Sequence, residues 1–64
     1  MANVKYVVEM GITRRFQMRE YVFATEDEVN DFLMDMNDYE LDQIIDICKY
    51  TGRRCYHVYG EFLD

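Results

Sequence analysis

Leu41-Asp42-Gln43-Ile44-Ile45-Asp46-Ile47-Cys48-Lys49-Tyr50-Thr51-Gly52-Arg53-Arg54-Cys55-Tyr56-His57-Val58-Tyr59 is the stretch that decides the fold. Leu41, Ile44, Ile45 and Cys48 have helical spacing, whereas Ile44, Ile45, Ile47, Tyr50 and Thr51 have the β-branched and aromatic chemistry that suits a pleated surface. Thr51-Gly52 reads as a turn, and Cys55 to Tyr59 reads as a strand. A hairpin of roughly 43–50 with 54–60 follows, with Ile45, Ile47, Tyr56 and Val58 on its core face. A helix over 41–50 would give ββααβ instead.

Upstream, Thr25-Glu26-Asp27-Glu28 is a capping box, and Val29, Phe32, Leu33 and Met36 follow at i, i+3, i+4 and i+7. That pattern predicts an amphipathic helix over 25–36. Residues 4–10 and 14–23 alternate with period two and predict a first hairpin around Gly11-Ile12-Thr13. Pairing Met10 with Arg14, Val8 with Phe16 and Tyr6 with Met18 puts these apolar residues on one side. A slip of one residue would move Arg15 opposite Val8. The expected fold is α+β, ββαββ: a single antiparallel four-stranded sheet with one helix packed on one face. A chain of 64 residues is expected to form one compact domain.

Composition bounds the function. Half of the residues are apolar, so a core is affordable, and Pro and Ser are absent. The N-terminus shows no secretory h-region, and no run approaches the ~20 apolar residues of a membrane helix. Two Cys do not make a disulfide framework. The expected compartment is the cytoplasm, with reduced thiols and no membrane contact.

The charges are segregated. Glu20, Glu26, Asp27, Glu28, Asp31, Asp35, Asp38, Glu40, Asp42 and Asp46 fall in a stretch with no Lys or Arg, giving −10 there against +4 elsewhere and a net of −6. Asp27, Asp31 and Asp35 lie four apart on the polar side of the expected helix, and Asp38 would continue the row. A solvated, solubilising face is one reading. The other is an anionic ridge that imitates a nucleic-acid backbone, with Asp27, Glu28, Asp31, Asp35, Asp38, Glu40 and Asp42 as partner-binding residues.

On the open side of the expected sheet lie Lys5, Val7, Arg15, Arg19, Tyr21, Phe23, Cys48, Tyr50, Arg53, Cys55, His57 and Tyr59. Basic and aromatic side chains there suit a second interface, with Arg15, Arg19, Tyr21 and Tyr59 at its centre, or a homodimer. Single-stranded RNA would stack on such a face, but the net acidity opposes phosphate, so no direct nucleic-acid binding is expected.

No Ser nucleophile, phosphate loop or paired metal motif is present, so an enzyme is not expected. Pairing Cys48 with Cys55 sets Asp46 opposite His57, all four on the open face. These are zinc-ligand types, but Cys48-x6-Cys55-x-His57 matches no familiar spacing, and Asp46 opposes thiolate formation. The expectation is a packed cross-strand Cys pair beside an Asp46–His57 hydrogen bond, with no metal and no cofactor.

In size, acidity and ββαβ-type layout the chain resembles the small proteins with which bacteriophages and mobile elements disable host nucleic-acid machinery: anti-CRISPR proteins, restriction inhibitors and uracil-DNA glycosylase inhibitors. That resemblance implies a stoichiometric inhibitor acting in the host cytoplasm on a basic nucleic-acid-binding protein, a nuclease or repair enzyme. The alternative is a homodimeric interaction module using the open sheet, with the acids only solubilising.

Overall fold

Strand chemistry prevails in the deciding stretch. The structure, a computed structural model, describes residues 3–12 and 17–62. β1 (Val4–Ile12) and β2 (Gln17–Phe23) form the first hairpin, and β3 (Ile44–Thr51) and β4 (Arg54–His57) form the second. Between them run α1 (Glu26–Met34) and the one-turn helix α2 (Asp38–Leu41), and a 3-10 turn (Tyr59–Phe62) follows β4. The sheet is antiparallel with strand order β2-β1-β3-β4. The ββαββ order is therefore as expected, with one helical turn added before β3. Thr13, Arg14, Arg15 and Phe16 lie outside the described residues.

Local chemistry explains the elements. Thr25 is extended at the N-cap of α1, and its hydroxyl accepts from the Glu28 N–H at 3.2 Å. The Glu28 carboxylate accepts in return from the Ala24 N–H at 3.4 Å. This is the reciprocal capping expected, shifted one residue upstream on the Glu28 side. Asn37 caps α2 by accepting from the Glu40 N–H at 2.8 Å. Gly52 takes φ 61° at the first position of the two-residue β3–β4 loop. Glycine reaches that left-handed region without steric cost.

The core lies between the sheet and α1. Tyr6, Val8 and Met10 from β1 meet Ile44 and Ile47 from β3, with Val29 and Val58 closing the layer. Val8, Val29 and Ile47 are fully buried. Phe32 of α1 stacks at 5.0 Å on both Tyr21 and Phe23, and Phe62 meets Tyr6 edge-on at 6.5 Å.

The first hairpin corrects the expected register. Tyr6 pairs with Phe23, Val8 with Tyr21 and Met10 with Arg19. This differs from the expected pairing by an odd number of residues, so β2 is turned over. Arg19, Tyr21 and Phe23 lie on the helix side, not on the open face. Met18 and Val22 turn outward, each 61% exposed. The aromatic pair has more area to bury against Phe32 than Met18 and Val22 would offer, and burial scales with apolar area.

A bulge adds a second correction. Met10 pairs with Ile44 while Glu9 pairs with Asp46, so β3 carries one extra residue there. Ile44 takes the core position expected of Ile45, which is 52% exposed. Ile45 lies over Gly11, whose missing Cβ would stand 3.1 Å from the Ile45 Cδ1. Tyr56 is also exposed, and β4 ends at His57, so that Tyr59 belongs to the 3-10 turn and packs against the core rather than on the open face.

Candidate functional site

Two surfaces remain once the core is made. The first is the helical crossover. Asp27, Glu28 and Asp31 project from α1, Asp35 is its C-cap, and Asp38, Glu40 and Asp42 belong to α2 and its cap. All seven are exposed, and none forms a salt bridge among the described residues. The row is broken after Asp35, because α1 ends at Met34 and Asp38 starts a new helix instead of extending the old one. Asp35 therefore sits at the negative end of α1, where no basic residue offsets it. A carboxylate at that end is unfavourable by a few tenths of a kcal/mol or more.

Arg19, expected on the open face, borders the same side of the protein. It lines a shallow depression with Tyr21, Phe32, Asp35 and Glu40. Arg19, Tyr21 and Tyr59 thus do not gather on one open face. Arg19 and Tyr21 face the helix layer, Tyr59 lies beyond β4, and Arg15 is outside the described residues.

The second surface is the open face of the sheet. Strand pairing places Lys5, Val7 and Glu9 of β1 beside Glu20 and Val22 of β2, and beside Asp46, Cys48 and Tyr50 of β3. Cys55 and His57 of β4 complete it. It is less basic and less aromatic than expected. Lys5 lies over the Tyr50 ring at 5.3 Å. Glu20, Glu9 and Asp46 are successive cross-strand partners, which sets three carboxylates in a row across β2, β1 and β3. Like charges directly opposite destabilise a sheet.

That row ends at a three-residue cluster. Cys48 pairs with His57, and Cys55 with Tyr50, so the thiols are offset by two residues instead of facing each other as expected. The shared face is as expected, because the shift is an even number of residues. His57 Nδ1–H donates to Asp46 Oδ2 at 2.5 Å, the hydrogen bond foreseen from the sequence. The Cys48 thiol donates to the same oxygen at 3.5 Å and lies 3.7 Å from His57 Nδ1. The other Asp46 oxygen accepts from the Ile47 N–H at 2.9 Å, which fixes the carboxylate.

The electrostatics follow from this geometry. Burial pushes the Asp46 carboxyl up, but hydrogen bonds from His57, the Ile47 N–H and Cys48, and then the charge of His57, outweigh it and hold it below its ordinary value. Burial, followed by the Asp46 carboxylate and the nearby Cys55, pushes the Cys48 thiol up to about 12. At neutral pH, Cys48 is a thiol and not a nucleophile. The hydrogen bond to Cys55 raises Tyr50. No helix among the described residues is long and apolar enough to cross a membrane. No protein-family model, curated protein or solved structure matches the chain.

Proposed function

We propose that this protein is a stoichiometric inhibitor that docks its acidic crossover, Asp27 to Asp42, on the nucleic-acid channel of a basic host protein such as a nuclease, a repair enzyme or a CRISPR effector. One observation carries the reading: seven carboxylates stand exposed on one crossover with no cation paired to them among the described residues. Solubility alone does not require Asp35 at a helix C-terminus, where a Lys would be favourable. Residues four apart on a helix rise ~6 Å along the axis. That is near the ~7 Å between alternate phosphates of one DNA strand, so Asp27, Asp31 and Asp35 can follow a strand coarsely.

The test is competition. The protein should bind a basic nucleic-acid-binding target in one-to-one ratio, DNA should displace it, and affinity should fall as salt rises. Binding that is unaffected by both DNA and salt would refute the reading.

A second reading rests on Met18, Val22 and Ile45, which are more than half exposed on the side of the sheet away from α1. Self-association through this face would cover them and would appear as dimer in sedimentation at micromolar protein.

A further inference from the structure

The offset of the second hairpin brings together three side chains whose chemistry the acidic crossover does not use. Asp46 Oδ2, Cys48 Sγ and His57 Nδ1 all lie within 4.8 Å of one another. Oxygen, thiolate sulfur and imidazole nitrogen are the donors that zinc takes. We propose that Asp46, Cys48 and His57 form a binding site for a zinc-class divalent cation on the open face of the sheet.

The distances carry this further than the residue types do. A tetrahedral zinc with bonds of about 2.0–2.3 Å separates its donors by about 3.3–3.5 Å. The sulfur-to-oxygen and sulfur-to-nitrogen separations are 3.5 and 3.7 Å, already close to two edges of that tetrahedron. Only the third edge is short, because a proton holds His57 to Asp46 at 2.5 Å. Binding shifts the His57 ring proton from Nδ1 to the outer nitrogen Nε2 and releases the Cys48 thiol proton to solvent, and the metal takes their place between the three donors. His57 must then open by under about 1 Å to reach a tetrahedral edge, and its side chain is 75% exposed and free to do so. Asp46 is oriented in advance by the Ile47 N–H.

An independent observation favours a cation here. The Glu20–Glu9–Asp46 row runs across three strands to this cluster. Lys5, a base on the same face, is engaged over Tyr50 instead. A divalent ion at Asp46 offsets the repulsion at the end of the row. Three protein donors leave the fourth position to solvent, as in zinc sites that are not purely structural.

The experiment is a cobalt titration of the full chain, stripped of metal and kept reduced. One equivalent should produce a near-ultraviolet thiolate-to-cobalt charge-transfer band and the visible bands of four-coordinate cobalt, and zinc should displace both. Cys48→Ser should abolish the charge-transfer band. His57→Gln, at an exposed position that leaves the fold intact, should weaken binding by at least about 100-fold, since even partners outside the ligand set are worth 10–100-fold. Cys55→Ser should bind as wild type. The proposal is overturned if wild type gives no thiolate band, if His57→Gln binds unchanged, or if Cys55→Ser loses the band.

Discussion

Cys48 faces His57 across the β3–β4 hairpin, while Cys55 faces Tyr50. The pairing gives two thiols of one small protein different environments. Cys48 is 3% exposed, held among Asp46, His57 and the central strand, and its thiol is pushed up by burial and by Asp46. Cys55 is exposed on the edge strand.

Alkylation should separate them. Brief treatment of metal-free native protein with iodoacetamide at neutral pH should modify Cys55 and spare Cys48, because both access and thiolate fraction disfavour the latter. Peptide mass mapping reads the site, and unfolding in denaturant should expose both. Equal native labelling would mean that β4 pairs in another register.

The Asp46–His57 pair gives a pH dependence with a definite sign. A carboxyl held below its unfolded value favours the folded state above the unfolded pKa of about 3.9, and that contribution is lost as pH falls through the folded value. With a chelator present, wild type should exceed Asp46→Asn in melting temperature near neutrality. The gap should close as pH drops below ~4. The exposed His57 keeps the difference small, at most about 1 kcal/mol.

The fold was legible where the sequence allowed only one arrangement. Thr25 and Glu28 with Val29, Phe32 and Leu33 dictate α1, because a helix turns those three side chains to the sheet together, while Met36, the last of the expected stripe, lies past the Asp35 C-cap and still packs against the core. The first hairpin's register was not legible, since Tyr21 and Phe23 alternate with Met18 and Val22 and both sets are apolar. The choice is made by Phe32, on the helix that follows β2, which packs on both the Tyr21 and Phe23 rings. Ile44-Ile45 hides the bulge in the same way, as either isoleucine can enter the core. Asn37 and Glu40 did carry a signal for α2, a capping Asn three residues before a Glu. The shared face of Asp46, Cys48, Cys55 and His57 was readable, and their close contacts depended on a two-residue offset that sequence does not specify.

The bulge makes Ile45 and Ile47, which regular alternation would put on one face, unequal. Ile47 is fully buried and Ile45 is half exposed. Ile47→Ala should cost about 2–5 kcal/mol, a large share of the stability of a domain this size. Ile45→Ala should stay within about 0.5 kcal/mol. Urea denaturation of both variants checks this, and a large loss at Ile45 would place it in the core after all.

Glu9 stands between Glu20 and Asp46. Glu9→Gln should raise the stability of metal-free protein by about 0.2–1 kcal/mol, the range of a cross-strand pair. The gain should shrink as salt screens the row. A destabilised variant would show that Glu9 has a favourable partner on this face.

Replacing Asp27, Asp31 and Asp35 together by Asn tests the acidic crossover. Three effects on stability partly offset one another. Two i, i+4 repulsions are relieved, worth about 0.2–0.5 kcal/mol each. Asp27 gives up a favourable place in the first turn of α1, and Asp35 leaves an unfavourable one at its C-cap. The end effects are of similar size and opposite sign, so the variant should fold with unchanged or slightly higher stability by thermal melting. Binding to a basic nucleic-acid-binding target should instead fall sharply, and what remains should depend less on salt, because fewer charges steer the encounter. An Asp27/Asp31/Asp35 variant that folds and still inhibits at full strength would reduce the crossover to a solubilising face. The open sheet, with Met18, Val22 and Ile45 exposed, would then be the surface through which the protein acts.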